Sequence, residues 1–193
     1  MPPDIETHLG RHLGPVSARA SVTFLGTEAI EVLRFVDGAF VRYVTVGMSR
    51  HPMTDPTQPL VDPLAGPRAE LVLSVRALRG QTHHGVVRTM AVLASAPAVD
   101  GLVLSAGASL DLDAPLWEGA RFHAVLLGAA GGLVPDLALP PAGPVRFHPV
   151  LPMTAHEAAW KRANGADALE ALWLAQAIDL RDPGRRAASF ESR

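Results

Sequence analysis

The sequence predicts a chain of α+β class, and three observations carry that prediction. Apolar residues recur at helical spacing near the start, and period-two alternation rich in β-branched residues fills positions 16 to 46. Helix-capping signals then return after position 153.

The elements follow in order. Ile5, Leu9 and Leu13 stand at i, i+4 and i+8, which places them on one face of a short helix, and Gly14-Pro15 ends it. From Val16 the period changes to two. Ala18, Ala20, Val22 and Phe24 alternate with Arg19, Ser21 and Thr23, as on a half-buried strand. Ile30, Val32 and Leu33 to Val36 predict a second strand, Asp37-Gly38 a hairpin turn, and Phe40 to Val46 a third strand, together a β-meander. Gly47 to Pro67 holds Pro52, Pro56, Pro59, Pro63 and Pro67 and shows neither period, so it reads as a long loop. Loops of that length inside a compact domain are uncommon and are often functional. Ala69 to Arg76 resumes as a strand, and Gly85 to Ser95 fits a buried helix closed by Pro97. Phe122 to Leu127 and Val145 to Leu151 are further strands, joined by a Gly- and Pro-rich connection from Gly128 to Pro144.

The last part is helical. Thr154 and Glu157 have the spacing of a capping box, and Asn164-Gly165 suits the end of the helix they open. Asp167 and Glu170 offer a second box, for a helix reaching Ala175 on which Leu169, Leu172 and Trp173 share a face. Burying each of these side chains contributes about 1.5–3 kcal/mol. The expected organisation is one domain over residues 1–180 and a polar, disordered tail over 181–193.

Composition narrows the function. A chain of 193 residues can bury roughly 70% of the surface its unfolded form exposes, so it reaches stability without a metal or a disulfide. Cysteine is absent, which excludes disulfides, thiolate chemistry and sulfur-ligated zinc, and fits a reducing cytoplasm. The formal charge is -2 with no basic run, so nucleic acid is not an expected partner. The most apolar stretch, Ala124 to Leu139, is interrupted by glycine and proline and falls short of the ~20 apolar residues of a membrane span. The first residues have neither the basic start nor the apolar core of a signal peptide, and no membrane role is expected.

Three ordered segments resemble the suppressor of fused (SUFU) family. The first is Tyr43-Val44-Thr45-Val46-Gly47-Met48-Ser49 with Pro52-Met53, like the family's aromatic-rich strand running into a Gly-hydrophobic-Ser turn. The second is Ala69-Glu70-Leu71-Val72-Leu73, like its Glu-Leu strand. The third runs from Phe147 to Trp173 and resembles a strand, a Leu-x-Pro-hydrophobic turn, a helix and a Gly-x-Asp-Ala-Leu helix start. Leu116 to Leu127 fits more loosely, and Ser105 to Ser109 departs from the pattern, because relatives often carry an aromatic residue or a histidine beside that glycine. The resemblance covers residues 5 to 175. It implies a central, mostly antiparallel sheet with helices packed on it and a protein-binding role without catalysis. Larger animal members pair this domain with a second one to clamp a transcription-factor peptide. Single-domain bacterial relatives resemble immunity proteins, so the resemblance implies a protein partner, with a toxin as the leading one.

Candidate chemistry is sparse. His83 and His84 are adjacent and point apart. His8 and His12 have metal-compatible i, i+4 spacing but lack the glutamate of a metalloprotease motif and a third ligand, so no metal is expected. His148, within a predicted strand, is expected to be packed and hydrogen-bonded. Ser49 with nearby His51 is the one hydrolase candidate, but Gly47-Met48-Ser49-Arg50-His51 is not a Gly-x-Ser-x-Gly elbow and no carboxylate is placed to orient the histidine. The expected role of Ser49 is to bond the backbone of its loop. Gly128 to Gly132 lacks the Lys-Ser/Thr of a phosphate loop, so no cofactor is expected. Asp111 and Asp113, with Asp100 and Glu118 near them, read as a solvated acidic loop. No catalytic set is assigned. What remains is a binding surface on the proline-stiffened loop, with Ser49, Arg50, His51, Met53 and Asp55 as the expected partner contacts. A hydrolase-like enzyme using Ser49, or a structural or assembly subunit, are the alternative functions.

Overall fold

Helix α1 (Ile5–Leu13) forms where the spacing predicts it, with the Asp4 side chain accepting from the Glu6 amide as N-cap. The computed structural model describes residues 4–24, 28–54, 66–77 and 83–190. Strands β1 (Val16–Val22), β2 (Ile30–Asp37), β3 (Phe40–Val46) and β4 (Arg68–Arg76) follow, then α2 (Val86–Asp100). Next come β5 (Ser109–Asp111), β6 (Phe122–Leu127), β7 (Leu137–Leu139), β8 (Ala142–Thr154), α3 (Ala155–Asn164) and α4 (Ala166–Ala175). The architecture is α+β. The sheet runs β1-β2-β3-β4-β8-β6-β5, with β7 also on β8, and every described pair is antiparallel except β4 with β8.

Strand alternation sends side chains to two faces. On one, Val32, Val41, Tyr43, Leu71, Leu73 and Val75 pack with Met90 and Ala94 of α2. On the other, Leu33, Phe35, Val44 and Val72 pack with Leu9 and Leu13 of α1 and with Val134 and Phe147. A third cluster joins Leu126 and Met153 to Leu169 and Trp173 of α4. Asp37 faces Phe40 across a two-residue turn, and Gly38 takes a φ of 54°, as such hairpins favour.

Several expectations are corrected. β1 forms, yet its inner residues are exposed rather than half-buried, because it is the edge strand and only its end residues, Val16 and Val22, pack against the core clusters. α2 does not stop before Pro97 but includes it and ends one turn later at left-handed Gly101; lacking an N–H, Pro97 gives no intrahelical bond to the carbonyl four residues back. β8 does not turn at Leu151-Pro152 but continues to Thr154, since its pairing passes from β4 to β6 at Pro149 and Val150. The acidic segment holds strand β5, and the Gly- and Pro-rich connection holds β7. The Thr154–Glu157 capping box is present, whereas α4 is capped by Gly165, so Asp167 lies inside its first turn and makes no box.

The segment expected as a disordered tail is packed through Phe190. Arg185 is buried, its guanidinium donating to Glu157 Oε1 at 2.8 Å and Oε2 at 2.9 Å. Ala188 is buried, and Phe190 stacks on His156 and Trp160. Polarity in the sequence concealed an arginine that serves as an internal counter-ion. Among the described residues, no helix is long and apolar enough to cross a membrane.

Candidate functional site

The chain leaving β3 must turn sharply, and β4 supplies the side chains that hold the turn. Arg68 and Glu70 are two apart on β4 and so share a face. The Glu70 carboxylate is fully buried. Its Oε1 accepts from the amides of Gly47 (2.9 Å) and Ser49 (3.0 Å) and from Ser49 Oγ (2.6 Å), while Oε2 accepts from Thr45 Oγ1 at 2.7 Å. Arg68 donates to the Ser49 and Arg50 carbonyl oxygens at 2.8 and 2.6 Å. One carboxylate thus takes the turn's N–H groups and one guanidinium its carbonyls. Gly47 has a φ of 130°, and a Cβ there would lie 3.0 Å from the Ala29 carbonyl oxygen, so the entry admits glycine alone without strain.

Burial pushes the Glu70 carboxyl above its ordinary range, against the bonds from Ser49, Thr45 and Gly47 that favour the charged form. Its donors are all neutral, so their bonds offset desolvation only in part.

The turn presents its next residues outward. Arg50 donates to the Ala29 carbonyl at 2.8 Å and to Glu28 at 3.3 Å, and the His51 ring lies 3.4 Å from the other Glu28 oxygen. The His51 side chain is 80% exposed, which leaves most of it for a partner. The His51 hydrogen bond and charge, with the Arg50 guanidinium, hold the Glu28 carboxyl below its ordinary range. Beside these groups lies an open cavity of about 380 Å³, walled by Ile30, Met48 and Pro52 on the turn side and by Ala94, Pro97 and Ala98 of α2, with Glu28 and His51 also lining it. That is a volume in which binding sites for small ligands or side chains are found.

The expected contact residues separate accordingly. Arg50 and His51 face solvent. Ser49 and Met53 are buried, Met53 with its sulfur 3.3 Å from the Leu104 amide, and Asp55 lies outside the described residues. Ser49 does not bond its loop's backbone through its hydroxyl, as expected, but donates to Glu70. At 2% exposure and with its proton directed to a carboxylate, it is not arranged as a nucleophile with His51, whose ring meets Glu28.

Glu70, Arg68, Glu28 and the end of α2 were missed by sequence reasoning. A signal existed for one of them: a glutamate inside the apolar run Ala69-Glu70-Leu71-Val72-Leu73 must find buried donors. Three of the other histidines have partners within the fold. His8 Nε2 lies 2.8 Å from the Pro135 carbonyl oxygen, His148 is buried with Nδ1 2.9 Å from the Gly128 carbonyl oxygen, and His83 stands edge-on to Tyr43 and Trp117. Among the described residues, no group of three His, Asp or Glu is placed to hold a metal ion.

The sequence model of the family described as suppressor of fused protein (SUFU) matches residues 26–186. A SUFU homologue from Neisseria gonorrhoeae superposes with a TM-score of 0.64 at 18% identity, over 96% of this chain and 95% of its own. A protein solved in the Sufu–Fu complex gives a TM-score of 0.69 at 12% identity, over 97% of this chain and 93% of that one. Drosophila Suppressor of Fused gives 0.67 at 12% identity, over 95% of this chain and 50% of the Drosophila chain. At these identities the likeness establishes the fold. No curated protein sequence matches the chain.

Proposed function

Because the chain belongs to the suppressor of fused family, we propose that it acts as a stoichiometric protein-binding module, with the turn from Gly47 to Met53 as its contact site. One observation carries this reading. Buried Glu70 and Arg68 fix the turn's backbone from beneath, so Arg50 and His51 stand beside an open apolar cavity on a frame that need not be ordered at binding. Pre-organisation of that kind reduces the entropy lost on association, and an apolar recess ringed by polar groups is the anatomy of a protein contact. No catalytic step is assigned to these residues.

The partner we propose is a toxin, and the role immunity. Support comes from the resemblance to single-domain bacterial relatives, and from the near end-to-end match with the Neisseria gonorrhoeae homologue, against half of the Drosophila chain. The intracellular, cytoplasmic setting belongs to the same proposal.

The test is affinity capture of the tagged protein from its native host's lysate, run beside a variant carrying Arg50→Ala and His51→Ala. Both positions are exposed, so the variant should keep the wild-type unfolding midpoint. We expect one stoichiometric prey with the wild type and its loss with the variant. Toxicity of the prey expressed alone, relieved by co-expression, would support immunity. A harmless prey removes immunity and leaves the binder reading. A prey retained equally by both proteins moves the contact site elsewhere.

A further inference from the structure

On the sheet face opposite α2, three arginines converge on one aromatic ring. The Phe40 ring centre lies 4.5 Å from the Arg181 guanidinium carbon, 5.5 Å from that of Arg76 and 6.0 Å from that of Arg42. Register explains two of them. Phe40 is paired with Arg76, and Arg42 sits two residues along β3, opposite Ser74, so period two brings Phe40, Arg42, Ser74 and Arg76 to the same face. Arg181 arrives from the segment after α4, where its carbonyl accepts from the Arg76 amide at 2.7 Å. Asp179 ties Arg76 and Arg181 together, and Asp37 pairs with Arg42. Three guanidiniums therefore face two carboxylates. Arg76 and Arg181 have about half their side chains exposed, at 42% and 52%, and each carries more N–H donors than Asp179 takes up.

The cluster adjoins a pocket. Arg181 and Ser74 also line a recess of about 170 Å³ whose other walls, including Val72, Val134, Phe147 and Leu180, are apolar. Leu133, 44% exposed, stands among them as an uncovered large apolar side chain. The recess is smaller than the roughly 300–1,000 Å³ of small-molecule sites, and its size suits one large side chain. An apolar socket next to surplus guanidinium donors is complementary to an apolar residue flanked by carboxylates.

We propose that this recess and the arginines beside it form a second docking surface, which takes an acidic segment of a partner protein by inserting one large apolar side chain. Arg76 and Arg181 receive the flanking Asp or Glu carboxylates. The proposal rests on the protein-binding reading above and adds a contact across the sheet from the Gly47–Met53 turn.

The test is an NMR titration of the isotope-labelled full chain with the capped peptide Glu-Asp-Phe-Asp-Glu. Controls replace its Phe by Ala or its acidic residues by Lys. We expect saturable shifts at Ser74, Leu133, Leu180 and Arg181, absent with either control, and weaker at high salt. Leu133→Glu and Arg181→Gln should each weaken binding about tenfold or more. Leu133 is exposed, so its variant separates lost docking from lost folding. Binding that is equal for the lysine peptide, shifts that map to another face, or no saturation at millimolar peptide would each overturn the proposal. A wild type that captures a prey through Arg50 and His51 yet ignores the acidic peptide sinks this surface alone, whereas peptide binding without any prey sinks the turn-centred reading alone.

Discussion

Two carboxylates are withdrawn from water among the described residues: Glu70 beneath the turn after β3, and Glu157 at the start of α3. Both use nearly all their acceptor capacity. Glu70 takes two amides and two hydroxyls, all neutral. Glu157 takes the Thr154 and Ala188 amides and the Trp173 indole, and in addition a bidentate pair from Arg185. Burial alone would raise both. For Glu70 it prevails. For Glu157 the Arg185 bonds and charge, the Thr154 amide and the Trp173 indole outweigh it, and the carboxyl is held below its ordinary value. Neutral donors can shape a loop around a buried carboxylate, whereas a fixed cation makes the buried charge itself favourable. The first arrangement serves the candidate site and the second anchors the C-terminal segment.

The largest expected effect breaks the second arrangement. Glu157→Ala leaves the Arg185 guanidinium buried without its counter-charge, and should cost about 3–5 kcal/mol in denaturant unfolding. A loss below about 1 kcal/mol would mean that water reaches Arg185 when the segment lifts. Glu70→Ala orphans neutral donors only, at about 1–3 kcal/mol for each that stays buried and unpaired, and it should cost less because the surface turn can lift these donors to water. It should also loosen the turn, read as faster amide exchange at Gly47 and Ser49. Equal losses in the two variants would erase the distinction between the arrangements.

The two carboxylates should also impose opposite pH slopes. The folded value of Glu70 is raised, so its contribution is complete below the unfolded value near 4.5 and is lost as pH rises through the folded value. The folded value of Glu157 is lowered, so its contribution is present above about 4.5 and is lost as pH falls through the folded value. Glu70→Gln should therefore flatten the decline in stability on the rising side, and Glu157→Gln the decline on the acid side. Unfolding free energies measured across pH 3 to 7 check both signs, and matching slopes in the two variants would contradict the assignment. The smallest expected effect is Thr154→Ala, at about 1 kcal/mol, through loss of the bond its hydroxyl accepts from the Glu157 amide. An unchanged midpoint would mean that the Glu157 half of the box caps the helix alone.

Local rules made much of the fold legible. The spacing of Ile5, Leu9 and Leu13, the alternation from Ile30 to Val46 and the Thr154–Glu157 box each specify an element from its own residues. The failures came where distant partners decide. Pro152 reads as a turn until β6 is known to run beside it, and Arg185 reads as tail until Glu157 is seen beneath it. The candidate site was half legible. Arg50 and His51 were marked by the prolines that follow them in the sequence, but Glu70 and Arg68 clamp their turn from a strand some twenty residues on. No local period encodes that contact.

The central claim is that a clamped turn presents Arg50 and His51 to a protein partner. Its most direct measurement is the dissociation constant of the captured partner, by calorimetry, for the wild type and for the Arg50→Ala, His51→Ala variant at matched stability. The account predicts binding weakened by about thirtyfold or more, the loss expected when a contact hot spot of 2 kcal/mol or more is removed. An unchanged constant would contradict it.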